Sequence, residues 1–320
     1  MKVVVTGGAG FIGANLCRAL VEDSAIDEVV AVDDLSTGLV TNLDGLDVRL
    51  VVGSILDPAT LDRAFLDADA VVHLAARPSV PRSLADPVAT HEVNATGTVQ
   101  VLEAARRAGH LHVVAAGSSS VYGANPIIPK NEDLAPRPLS PYAASKLSAE
   151  ASLLAYQHSF GVPVLAFRFF NVFGPLQPAG HAYAAVVPTF IDHALAGRPL
   201  TIHGDGKQTR DFTFVSSVTT VLVQAVVRRV TSPDPINLAF GTRLNLLEVV
   251  SLLEAELGHV LDGEHDPPRP SDVRDSQADS ARLLALFPDI EPVPFVDGLR
   301  ATIAWFEAVK QADSLLPDES

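Results

Sequence analysis

The chain has 320 residues, 48% of them hydrophobic, and its 38 acidic against 23 basic side chains leave a net charge of −15. That length and apolar fraction imply one large folded unit or two closely joined ones with a sizeable core. The charge repels polyanions, which excludes nucleic acid as an expected partner.

Cys17 is the sole cysteine, so no internal disulfide can form, and its apolar helical setting marks it as core packing with no redox or zinc chemistry. No metal is expected. Apolar runs stay well short of the roughly 18 to 20 residues of a membrane span, so no membrane partner is expected either. Met1-Lys2 leads straight into "VVVTGGAG" without the zones of a signal peptide, which makes the cytoplasm the expected address.

In chain order, short β-branched runs alternate with helical stretches. The expected strands are 2–6 ("KVVVT"), 28–33 ("EVVAVD"), 48–53 ("VRLVVG"), 70–75 ("AVVHLA"), 111–117 ("LHVVAAG") and 162–168 ("VPVLAFR"). The clearest helix spans 86–109, with Asp86 and Pro87 at its start and Gly109 after its last turn. A second opens at Ser140-Pro141, an N-cap followed by proline in the first turn, and runs over 140–159. Strand-helix alternation of this kind implies an α/β fold, a doubly wound parallel sheet with helices on both faces. Beyond about residue 172 the pattern loosens into Gly/Pro-rich loops between shorter elements, read as a smaller C-terminal α/β lobe. The division is residues 1–172 and 173–320, with some interleaving.

The chemistry starts at the end of the first strand. Gly7, Gly10 and Gly13 allow a tight turn, close approach of a pyrophosphate to backbone N–H groups, and close helix packing. Twenty residues past Gly13, Asp33 ends the second strand, where a carboxylate can accept from both ribose hydroxyls and repel a 2′-phosphate. Together these favour NAD over NADP. "GSSSVYG" (117–123) follows the fifth strand at the carboxyl edge of the sheet, where ligands bind. "SPYAASK" (140–146) sets Tyr142 and Lys146 one helical turn apart on a shared face. Ser118, Tyr142 and Lys146 opening into a nicotinamide crevice form a hydride-transfer set. A phenol with a pKa of about 10 is a poor base at neutral pH. Lys146 and the positive nicotinamide can stabilise the phenolate, a drop of about 3 units corresponding to roughly 4 kcal/mol. Ser118 would orient the alcohol, with Ser119 beside it as a substitute.

From residue 2 to about 308 the chain resembles the extended short-chain dehydrogenase/reductases, specifically the UDP-hexose 4-epimerase group. The resemblance is carried by "TGGAGFIG", "DDLSTG", "HLAARPSVPRS", "SSSVYG", "SPYAASK", "RFFNVFGP", "GDGKQTRDF" and "RPSDVRDSQAD". It implies a Rossmann sheet in which Gly7, Gly10, Phe11, Ile12, Gly13, Asp33, Ser36 and Gly38 hold NAD. It puts Ser54 and Ile55 at the adenine and Leu74, Ala75 and Ala76 along the cofactor, with Tyr142 and Lys146 beside the nicotinamide ribose and Phe169 near the ring. It assigns Ser118, Ser119, Tyr142, Asn171, Val187, His203, Arg210, Arg269, Asp272 and Ser276 to a UDP-sugar, and it implies a homodimer paired through helices 86–109 and 140–159.

Two departures from the family pattern stand out. Ser54 replaces the usual adenine-contacting aspartate, and Ser216 and Ser217 stand where acidic residues are common, expected here to cap the following helix. Acidic residues are also absent directly after Ser118, which removes the acid and base that elimination at C5 would need and favours 4-epimerisation. A small Ser276 leaves room for an N-acetyl group and points toward N-acetylhexosamines, with neutral hexoses alongside. UDP-glucuronate epimerisation, with Arg77 or Arg82 meeting the carboxylate, remains open as an alternative, as does a nucleotide-sugar dehydratase or net oxidoreductase.

Overall fold

Val3, Val4 and Val5 are all fully buried, so the first strand has no face left for solvent. That is the signature of a parallel strand covered by helices on both sides. The computed structural model describes residues 1–179, 184–268 and 273–315. Strands β1 (Lys2–Thr6), β2 (Glu28–Asp33), β3 (Val48–Val52), β4 (Ala70–His73), β5 (His112–Ser118) and β6 (Val164–Phe169) form one parallel sheet in the order β3-β2-β1-β4-β5-β6. A further strand, Ile236–Leu238, completes it beside β6.

The strand positions expected from sequence hold to within two residues. β4 ends at His73, short of residue 75, because Leu74 and Ala75 turn away to line the cleft above the sheet. One face of the sheet packs α1 (Phe11–Val21) and the helix Val215–Val227 around Leu16, Cys17, Leu20, Val72 and Leu222. Cys17 is fully buried there, and burial pushes its thiol up to about 12, which leaves it unreactive. The other face packs α2 (Pro58–Phe65), through Leu61 and Phe65, against Val71, Val101, Leu102, Val113 and Leu153.

The helix expected over 86–109 is not regular. A short helix α3 (Val80–Ala85) comes first, then α4 (Pro87–His91), a π turn over Glu92–Thr96, and α5 (Gly97–Arg107). The ends follow expectation: the Asp86 carboxylate accepts from Ala89 N–H, and Gly109 lies beyond the last turn at φ +99°. The π turn is set by Asn94. Its amide donates to the Arg77 carbonyl and to Ser145 Oγ, while its Oδ1 accepts from Arg77 N–H at 2.7 Å. No local pattern predicts those partners. Helix α6 (Pro141–Phe160) begins as read, with Ser140 Oγ accepting from Ala143 N–H at 3.1 Å and Gly161 closing it in the left-handed region.

The expected serine cap at 216–217 is corrected. The N-cap of Val215–Val227 is Phe214 and has no side-chain cap. Ser217 lies inside the first turn, and its Oγ instead accepts from Val293 N–H at 2.9 Å. The C-terminal lobe packs helices Val186–Leu195, Leu246–Leu257 and Phe295–Leu315 around Phe173, Phe190, Ile191, Phe212 and Leu299. Small strand pairs tie it together, Asn171–Phe173 with Phe212–Phe214 among them.

Between α6 and β6 lies a buried ion pair. The Arg168 guanidinium donates to both Glu150 oxygens at 2.7 and 2.8 Å, with the side chains only 3% and 6% exposed. It also stacks 4.7 Å from the Tyr122 ring and donates to the Glu132 carbonyl. Removing one partner of such a pair strands the other charge. Arg168→Met should therefore lower unfolding free energy by about 3 to 5 kcal/mol, read from urea denaturation; a loss under about 1 kcal/mol would show that water reaches Glu150.

Candidate active site

The loop after β1 is shaped by contacts that admit no side chain. Gly7 sits at φ +72°, and a Cβ on Gly13 would lie 2.0 Å from the Gly7 carbonyl oxygen. This close approach brings α1 against the turn. Its N-cap, Gly10, is extended and brings no side-chain cap, so the first-turn N–H groups are left to whatever occupies the cleft. Asn42 donates to the Ala9 carbonyl at 2.8 Å and pins the loop from the far side.

Along the carboxyl edge of the sheet runs a cleft of about 830 Å³. Gly7, Gly10, Phe11, Ile12, Gly13, Asp33, Ser36, Ile55, Leu74, Ala75, Ala76, Tyr142, Lys146 and Phe169 all line it. Gly38 and Ser54 do not. A Cβ on Gly38 would meet both Asp33 carboxylate oxygens at 2.9 Å, so this glycine lets the loop pass the acid. Ser54 Oγ accepts from Leu56 N–H, turned back on its own loop. The Asp33 carboxylate accepts from Ala9 N–H at 3.0 Å and Leu35 N–H at 2.9 Å, which orients it at the end of β2. Burial nonetheless raises its pKa, against the pull of those backbone donors. A Gly-cradled helix start, an oriented carboxylate beyond β2 and a long cleft between them fit a dinucleotide with free ribose hydroxyls.

A second cleft, of about 460 Å³, opens into the C-terminal lobe and is lined by Asn171, Val187, His203 and Arg210. Ser79, Tyr142, Phe170, Val172, Ala184 and Ala185 line both clefts and mark where they join. Ser119 and Ser276 line neither. The Ser276 N–H donates to the Thr209 carbonyl at 3.1 Å, one residue from Arg210. Arg269 and Asp272 lie outside the described residues. Sequence reasoning missed Ser79, Gln177, Thr201 and Gln208 as wall residues. Ser79 alone carries a structural flag, a non-glycine φ of +92°.

Tyr142, at the junction, meets Ser118 on the wall of the larger cleft. Burial raises the Tyr142 phenol above its ordinary pKa, and a hydrogen bond with Ser118 pulls it back down. Lys146 Nζ donates to the Ala116 carbonyl on β5 at 2.9 Å, and burial brings its ammonium down to about 8. At the end of β4, beside β5, His73 is held between Thr6 Oγ1 at 2.7 Å and Thr98 Oγ1 at 3.0 Å. Burial, then the Lys146 charge, depresses its pKa to about 3, so it is neutral there. The arrangement offers a phenol base that lines both clefts, with a cation one turn along its helix and a serine hydroxyl beside it on the wall of the larger one.

Residues 3–239 match the sequence profile of the NAD dependent epimerase/dehydratase family. The UDP-glucose 4-epimerase of Mycolicibacterium smegmatis is 35% identical over 317 residues, 97% of this chain and 100% of that one. The fold is similar to the UDP-N-acetylglucosamine 4-epimerase of Methanobrevibacter ruminantium, solved in complex with UDP-N-acetylmuramic acid. The TM-score is 0.90 at 34% identity, with 96% of this chain and 98% of that chain covered. It is also similar to the UDP-glucose 4-epimerase of Thermus thermophilus, solved with NAD, at TM-score 0.88, 33% identity and coverage of 96% and 99%.

The neutral His73 makes stability depend on pH. Its folded pKa of about 3 lies below the ordinary 6.5, so the folded state binds fewer protons than the unfolded one. The contribution is present above pH ~6.5 and is lost as pH falls toward ~3, at up to about 1.4 kcal/mol per pH unit. Urea titrations of wild type and His73→Asn should show the steeper acid loss in wild type; parallel curves would contradict it.

Proposed function

Because the chain belongs to the NAD dependent epimerase/dehydratase family, we propose that it is an NAD-dependent isomerase that inverts C4 of a UDP-hexose through a transient 4-keto sugar. The observation that carries this reading is that Tyr142, Ser118 and Lys146 share the wall of the larger cleft, with Tyr142 also lining the second, and that Ser119 and Ser120 stand in place of acidic residues after Ser118.

NAD supplies the acceptor and then the donor of the C4 hydrogen. Gly7, Gly10, Phe11, Ile12 and Gly13 would hold its pyrophosphate, Asp33 its adenosine ribose, and Lys146 its second ribose. Tyr142 takes the C4 hydroxyl proton and later returns it, and its phenolate is held by the charge of Lys146 in a site where burial opposes any charge. Ser118 holds the sugar oxygen. Asn171, Val187, His203 and Arg210 would face the nucleotide-sugar, with the guanidinium of Arg210 suited to the diphosphate. Inversion requires only that the hexose turn over between the two hydrogen transfers.

The substrates proposed are UDP-GlcNAc and UDP-GalNAc, together with UDP-glucose and UDP-galactose. A relative bound to an N-acetylated nucleotide sugar supports the acetylated pair; the small Ser276 lines neither cleft and adds no support. UDP-glucuronate is the second reading, favoured by Arg77 and Arg82 on the wall of the larger cleft. The cofactor part is assigned to residues 1–172 and the nucleotide-sugar lobe to 173–320, with Val215–Val227 and Ile236–Leu238 returned to the first. Among the described residues no helix is long and apolar enough to cross a membrane, and we place the enzyme in the cytoplasm.

Incubation of the pure protein with each UDP-sugar, followed by separation of the products, tests the reaction and the substrate together. Tyr142→Phe should bind NAD near normally and lose at least about 10²-fold in turnover; turnover near wild type would remove Tyr142 from the role of base. We further propose a homodimer paired through α4, α5 and α6, where Val88 and Phe160 stand 76% and 49% exposed. Light scattering at micromolar concentration should give twice the chain mass, and a monomer would refute the pairing.

A further inference from the structure

Ser118 ends β5, and its Oγ receives two donors from one neighbour. The Ser120 backbone N–H donates to it at 3.2 Å and the Ser120 hydroxyl at 2.8 Å. A serine hydroxyl has two acceptor sites and one proton. With both acceptor sites filled, Ser118 enters any further hydrogen bond as the donor. The partner in reach is Tyr142.

Capping alone does not account for this arrangement. Ser118 is the N-cap of a single 3₁₀ turn, Ser119–Tyr122, and the Ser120 N–H already satisfies that role. The second donor, from the Ser120 side chain, adds nothing to a cap and instead fixes which way the Ser118 proton points. Ser120 itself lines neither cleft, so it acts through Ser118.

We propose that Ser120 is a positioning residue for the C4 reaction: by occupying the acceptor side of Ser118 it aims the Ser118 proton at the Tyr142 oxygen and, with substrate bound, at the sugar O4. This rests on the reaction assigned above. Without the Ser120 hydroxyl, Ser118 regains an acceptor site, and the neutral Tyr142 phenol can donate to it. That reversed bond stabilises the phenol over the phenolate and holds back the base. The other charged or titratable groups on the walls with Tyr142 are Lys146 from its own helix, Arg77 and Arg82 from the segment after β4, Asp33 and Asp34 from the end of β2, and His203 and Arg210 in the second cleft. None of them is altered by a change at Ser120.

Tyrosinate absorbance titration of the free protein, with Tyr142→Phe as the blank among four tyrosines, reads Tyr142 directly. Ser120→Ala should raise its midpoint by roughly half to one pH unit. Ser120→Thr should restore it, and Ser120→Cys, similar in volume and a weak donor, should follow Ser120→Ala. With a UDP-hexose, Ser120→Ala should lower kcat about 3- to 10-fold at unchanged KM, again restored by Thr. An unshifted Tyr142 midpoint in both the Ala and Cys variants overturns the proposal. A shifted midpoint in a protein that epimerises no UDP-hexose supports the role of Ser120 while overturning the assigned reaction, which separates the two failures.

Discussion

Parallel strands cannot be joined by a tight turn; each must be followed by a crossover that returns the chain to the same end of the sheet. In this molecule that constraint places every strand's carboxyl end on one edge, and the functional groups follow from it. Gly7 comes off β1, Asp33 ends β2, His73 ends β4 and Ser118 ends β5. The crossover α6 then lays Tyr142 and Lys146 over the same edge. The order of strands, with the chain reversing direction between β1 and β4, opens the crevice into which they project.

Burial dominates the chemistry of that edge. It raises Tyr142, brings Lys146 down to about 8 and His73 to about 3. Each shift disfavours the charged form, as expected where groups lose contact with bulk water. A phenol base in such a place needs specific help, and the help present is a serine hydroxyl at hydrogen-bond distance and a cation one turn away. The buried Glu150–Arg168 pair holds the same helix one turn further along, so the position of the base is set by a charge pair that solvent barely reaches.

Much of this was legible in the sequence, for physical reasons. Strands buried on both faces read as unbroken valine runs, and a turn that excludes Cβ at Gly13 reads as glycine. Tyr142 and Lys146 were legible because helical spacing is local, as was the Ser140-Pro141 start. What could not be read depends on partners far along the chain. The π turn at 92–96 exists because Asn94 binds Arg77 and Ser145. Ser79 joins the two clefts through a backbone conformation that its residue type does not announce. Gly38 and Ser54 sit beside the cofactor cleft without lining it, since one makes way for Asp33 and the other bonds its own loop. The serines at 216–217 looked like a cap because their type favours one, yet the helix begins two residues earlier and Ser217 serves the chain at Val293.

The strand Ile236–Leu238 has a bearing on synthesis. Among the described residues it pairs only with β6, and the chain makes the small-lobe segment from Asn171 to Phe214 before delivering it. On the ribosome, β6 therefore stands as an open sheet edge for some seventy residues of translation, with its backbone donors and acceptors unclaimed. The helix Val215–Val227, which covers one sheet face, emerges in the same interval. A nascent chain stopped anywhere before residue 238 carries an incomplete sheet, and the N-terminal half cannot finish folding until about half of the C-terminal half has been made.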